Sequence, residues 1–126
     1  MNYDVAIIGA GPGGIYAAYE LCQKTDLKIA VFDAGHELSR RKCPIDGEKV
    51  KTCIKCPVCS IMNGFGGAGA FSDGKYNITN DFGGSLYEYI GKDSALSLMH
   101  YVDEINMKYA GKDVKLYSTA NSEFKK

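Results

Sequence analysis

Gly9, Gly11 and Gly14 stand in the order G-x-G-x-x-G, directly after the apolar run 5–8. At that spacing each glycine has its own physical task. The first lets the chain turn sharply out of a strand. The second, lacking a Cβ, lets the backbone approach a pyrophosphate, and the third lets a helix pack closely on the strand. A helix starting near Gly13 would point unpaired N–H groups and its positive dipole end at phosphates. Pro12 suits such a start, since its missing N–H would have had no intrahelical partner. Asp33 follows Gly14 by about 20 residues, where a carboxylate can accept hydrogen bonds from ribose hydroxyls and repel a 2′-phosphate. These residues point to a dinucleotide other than NADP.

Cysteines form the second group. Cys43, Cys53, Cys56 and Cys59 follow the pattern C-x9-C-x2-C-x2-C, while Cys22 stands apart on the first helical stretch and reads as a small buried apolar residue. Consecutive C-x2-C units let thiolates converge on one centre, and such density in a cytosolic chain favours metal or redox chemistry over structural disulfides. Three uses stay open. Cys43, Cys53, Cys56 and Cys59 could ligate an iron–sulfur cluster or zinc. A pair such as Cys53 and Cys56 could work as a redox dithiol. The thiols could also be inert in a loop.

A second glycine-rich stretch, 63–80, reads NGFGGAGAFSDGKYNITN. Its backbone amides could lie against a large flat or anionic ligand without interference from side chains. Flexible linkers are rich in Gly and Ser without bulky residues. Phe65, Phe71 and Tyr76 break that pattern, so a ligand loop is the expectation, with Ser72 and Asp73 at its edge. The basic run Arg40-Arg41-Lys42 could reach cofactor phosphates, but the expectation is a solvated charge run. His36, beside a turn, is expected to be exposed rather than catalytic. No general acid–base pair stands out, so no catalytic residue is assigned.

The elements that must position these residues follow from hydrophobic periodicity. Residues 3–9 read as a strand buried on both faces of a parallel sheet. Residues 13–24 read as a helix with Ile15, Ala18, Tyr19 and Cys22 on one side, and Ala17 and Ala18 small enough for close approach. Residues 28–33 read as a second strand. The fold class is therefore α/β, a Rossmann-like βαβ unit with a parallel sheet. Residues 77–84 carry turn signals for a short hairpin or irregular loop. A helix is expected over 93–110, capped by Asp93 or Ser94, ended by Gly111, with a core stripe of Leu98, Val102, Ile105 and Tyr109. A last strand is expected over 113–118.

Length and composition set bounds. The 126 residues suit one domain, with loops 43–59 and 63–80 inserted in it. Acidic and basic residues balance at 15 each, which leaves no strong field to recruit nucleic acid or an anionic membrane. The apolar runs fall short of the ~20 residues of a spanning helix. The first strand begins within a few residues of Met1, so no signal peptide is expected, and the expected compartment is the cytoplasm. A doubly wound nucleotide domain has two βαβαβ halves. The expectation is an incomplete unit, the N-terminal part of a longer flavoprotein.

The opening GAGPGG with Asp33 resembles the FAD-binding start of glutathione-reductase-like flavoproteins. The later CPI…C-x2-C-x2-C…GFGGAGAFSDGKYNIT resembles the bacterial FAD-dependent dehydrogenases often called NAD(FAD)-utilising dehydrogenases, and the likeness covers nearly the whole chain. It implies an oxidoreductase with FAD, NAD(P)H as electron donor, and a small-molecule substrate. It places Gly9, Gly11, Pro12, Gly13 and Gly14 at the FAD pyrophosphate and Asp33 at the adenosine ribose. Gly66, Gly67, Ala68, Gly69 and Ser72 fall near the pyrophosphate and flavin. In disulfide reductases the redox cysteines follow the second glycine loop, whereas here they precede it. The alternative is a nucleotide- or metal-binding module with no turnover of its own.

Overall fold

The computed structural model describes residues 1–81 and 83–109. The expected strand over 113–118 and the Gly111 helix stop lie outside them. Contacts divide the chain into two compact units, Met1–Gly74 and a second beginning at Lys75.

The first unit is built on β1 (Val5–Ile8), α1 (Pro12–Lys24) and β2 (Ile29–Phe32). β-branched and aromatic residues favour the two strands, and the glycine turn between them releases the chain into a helix. β1 and β2 pair in parallel, Val5 opposite Ile29 through Ile8 opposite Phe32. Asp4 ties the far end: its N–H donates to Lys28 O at 2.8 Å, and its Oδ2 accepts from Lys28 N at 2.8 Å. At the other end Gly9 N–H donates to Phe32 O at 2.7 Å. The Rossmann-type α/β fold read from the sequence is present.

β1 is not buried on both faces as expected, and β2 is also partly exposed. Ile8 is 82% exposed and Phe32 52%. β1 alternates half-buried and exposed residues because, among the described residues, the sheet has two strands and α1 packs against it. On α1, Ile15, Ala18 and Tyr19 are half-buried, but Ala17 and Cys22 are exposed. Cys22 is thus not the buried apolar residue anticipated; it is exposed near the end of α1.

In the second unit a short helix that the sequence reading missed, α2 (Leu86–Ile90), precedes α3 (Lys92–Tyr109). Gly91, at φ +82°, makes the turn between them, and Ala95 N–H donates to Gly91 O at 3.0 Å. Asn80 Nδ2 donates to Lys92 O at 3.2 Å. The buried side of α3 is rotated from the expected stripe. Ala95 and Ile105 are buried and Val102 half-buried, while Leu98 and Tyr109 are exposed at 45% and 69%. Packing against α2 selects the face that carries Ala95. Residues 77–81 are irregular rather than a hairpin.

Candidate functional site

The site grows from the bend between β1 and α1. Gly9 has φ +102°, a conformation that a side chain disfavours, and it turns the chain out of β1. A Cβ on Gly14 would strike the Gly9 carbonyl and come within 3.3 Å of Ile7 Cγ2, so glycine is what brings α1 down onto β1. A Cβ on Gly11 or Gly13 would meet nothing within 4 Å. The backbone there faces open space. Gly11 caps α1 without any side-chain hydrogen bond, and Pro12 occupies the first turn. The leading amides of a 13-residue helix are thus left for a ligand or for water.

The second glycine stretch lies against this bend. Gly66 N–H donates to Ala10 O at 2.8 Å. A Cβ on Gly67 would stand 3.2 Å from Gly11 Cα, and one on Gly69 would stand 3.5 Å from Pro12 Cγ. Gly67–Phe71 forms a 3-10 turn that begins at this contact, and Ala68 lies within it. Ser72 ends it: its N–H donates to Gly69 O at 3.1 Å and its Oγ accepts from Gly74 N at 2.9 Å. Glycine is also obligatory at Gly35, where a Cβ would collide with the Asn63–Gly64 backbone.

Asp33 joins three segments. Oδ2 accepts from Ala10 N at 2.7 Å, and Oδ1 accepts from Gly35 N at 2.8 Å and Gly64 N at 2.6 Å. The Ala10 and Gly35 amides, then Gly64 and the Arg41 charge, hold its carboxyl below the usual carboxylate range, against an opposing effect of burial. Oδ1 is filled by two donors, whereas Oδ2 keeps a lone pair. A cavity of about 320 Å³ adjoins it, lined by Ala10, Ile15, Val31, Asp33, His36 and Phe65 among others. His36 is exposed and lines the cavity rim.

Arg41 was expected in a solvated charge run and is instead 3% exposed. Nε donates to Ser60 O at 2.9 Å and Nη1 to Phe65 O at 2.7 Å. Nη2 donates to Ile61 O at 2.6 Å and to Gly67 O at 2.8 Å. The guanidinium carbon sits 4.8 Å from the Phe71 ring centroid. Arg40 and Lys42 are exposed, as expected of such a run.

Residues 3–108 match the protein family described as pyridine nucleotide-disulphide oxidoreductase. The chain belongs to this family. Membership places it among FAD- and NAD(P)-binding oxidoreductases. Comparison with curated proteins and with solved structures gave no match.

Among the described residues the structure does not gather the cysteine segment into the ligand set that its spacing suggested. Cys43 and Cys53 are exposed, Cys56 and Cys59 half-buried, and all are free. Among the described residues no three His, Cys, Asp or Glu side chains come together as a metal ion requires. Local backbone bonds organise the segment instead. Asp46 Oδ1 accepts from Glu48, Lys49 and Val50 amides, and Cys53 Sγ from Lys55 N at 3.4 Å. Cys59 N–H donates to Asn63 Oδ1 at 3.2 Å. The Met62 and Ile61 amides, with Arg41 behind them, push the Cys59 thiol down from its ordinary range, although burial acts the other way.

Proposed function

We propose that this chain binds FAD through its two glycine segments and serves flavin-dependent electron or hydride transfer, as in the bacterial FAD-dependent dehydrogenases. One observation carries the reading. The 9–14 bend and the 66–69 stretch touch each other, while Gly11 and Gly13 present bare backbone to open space at the start of α1. That cradle, which a Cβ at either position would fill, suits a diphosphate.

The residues fit the cofactor. Gly9, Gly11, Pro12, Gly13 and Gly14 would bind the diphosphate through backbone and helix dipole. Gly66, Gly67, Ala68, Gly69 and Ser72 would line its other side. Asp33 would orient the adenosine ribose through the lone pair left on Oδ2, and its negative charge would exclude a 2′-phosphate. When bound, the flavin supplies the redox chemistry, with a reduced nicotinamide as a donor and a small molecule as substrate. The protein supplies binding and orientation. A cytoplasmic setting is part of this reading. No helix among the described residues is long and apolar enough to cross a membrane.

Titration of the purified chain with FAD, read by quenching of flavin fluorescence, tests the reading. Gly11→Val puts a branched side chain into the open space, and the expected loss of affinity is about 100-fold, since displaced phosphate contacts are charge-assisted. Unchanged affinity in a folded Gly11→Val protein would remove the assignment.

A further inference from the structure

We propose that Arg41 is the positioning residue of this dinucleotide site: its guanidinium shapes the 60–67 turn, and the affinity and surroundings of a bound flavin dinucleotide follow from that shape. The proposal rests on the FAD reading above and adds a residue to it.

Four carbonyls of the turn, those of Ser60, Ile61, Phe65 and Gly67, converge on three guanidinium nitrogens. Among the described residues no carboxylate forms an ion pair with Arg41. Its buried charge is instead met by carbonyl dipoles, the Phe71 ring and the nearby Asp33 carboxylate. Arginine is suited to this task because its donors fan out in a rigid plane.

Peptide geometry links this contact to the ligand side. No peptide bond among the described residues is cis. In a trans peptide the C=O and the following N–H point in opposite directions. Turning the Phe65 carbonyl to Arg41 therefore turns the Gly66 N–H the other way, where it meets Ala10 O in the 9–14 bend. By the same geometry, turning the Gly67 carbonyl to Arg41 sends the Ala68 N–H away from the guanidinium. Gly67 itself lies against Gly11. Arg41 thus sets which face of the second glycine stretch is presented to the first. Asp33 complements it by accepting the Gly64 amide in the same turn.

Arg41→Ala, Arg41→Lys and the control Arg40→Ala are to be prepared in the 126-residue chain. Two measurements apply to each: FAD affinity with the visible circular dichroism of bound flavin, and amide hydrogen exchange of the cofactor-free protein. In Arg41→Ala, affinity is expected to fall about tenfold or more, because four carbonyls, that of Gly67 buried and the others part-buried, lose their donor. The flavin dichroism changes, Gly66 and Gly67 amides exchange faster, and α1 amides stay protected. Added guanidinium ion at low concentration restores part of the affinity. Arg40→Ala matches the unaltered protein. If Arg41→Ala does not fold, Arg41→Lys carries the test. An ammonium keeps the charge but cannot reach all four carbonyls from one atom, so the same losses are expected in smaller degree. Unchanged affinity and dichroism in a folded Arg41 variant would overturn the proposal and leave the FAD reading standing. Failure of the unaltered chain to bind FAD would sink that reading and this proposal with it.

Discussion

Asp33 and Arg41 carry opposite charges and address opposite ends of the peptide group. The carboxylate collects the amides of Ala10, Gly35 and Gly64, and the guanidinium collects four carbonyls. Because the ionised carboxylate is the bound form, the Asp33 pKa in the folded protein lies below its unfolded value. Its contribution to stability is therefore complete above the unfolded value of about 3.9 and fades as pH falls through the lower, folded value. Exchange protection at Ala10, Gly35 and Gly64, corrected for intrinsic rates, is expected to hold steady from neutral pH to about pH 4 and to drop only in stronger acid. Asp33→Asn should show weaker protection at neutral pH, with no acid-dependent step from this site. A loss of protection in the unaltered protein near neutrality would contradict this account.

Between elements, α1 comes down onto the end of β1 at Gly14. Gly14→Ala must push the helix off the strand, because its Cβ meets the Gly9 carbonyl, which is backbone and cannot rotate away. The expected cost is about 1–3 kcal/mol in urea unfolding. Gly13→Ala supplies the contrast: its Cβ has open space, so stability should be equal or up to ~1 kcal/mol higher. If the two variants unfold alike, α1 does not depend on that contact. Most of this element was legible beforehand. The spacing of Gly9, Gly11 and Gly14 stated the turn, the start of α1 and the close approach. The exposure of the strand faces was not legible, since an apolar sequence such as Val-Ala-Ile-Ile reads the same whether or not both sides are covered. Nor was α2, whose five residues are too few for a helical period to emerge.

For the molecule as a whole, the buried apolar side chains among the described residues are Ala10, Ala95 and Ile105. That set contributes little hydrophobic stabilisation among the described residues, and a ligand that binds only the folded form adds to stability by mass action. At 100 times its dissociation constant, FAD should add about 2.7 kcal/mol. For a chain of this size that corresponds to a rise on the order of 10 °C in melting temperature. Thermal unfolding followed by circular dichroism with FAD, and separately with NADP, measures this. FAD should raise the transition, and NADP should leave it unchanged because its 2′-phosphate meets the Asp33 charge. No shift with saturating FAD would count against the proposed function.

The amino-acid sequence alone determined the βαβ unit, the glycine bend and the position of Asp33. Those features depend on local requirements: a positive φ at Gly9, no room for a Cβ at Gly14, and a carboxylate at the end of β2. Tertiary structure decided the fate of the charged and sulfur-bearing residues. Arg41 looked like one of three solvated cations because its partners lie 19 to 26 positions along the chain. Spacing made Cys43, Cys53, Cys56 and Cys59 look like a ligand set, yet local turns at Asp46 and Asn63 take up the backbone without gathering three ligating side chains as a metal ion requires. A backbone conformation can be demanded by one residue, but a buried charge is settled only when distant segments fold around it and supply its hydrogen bonds.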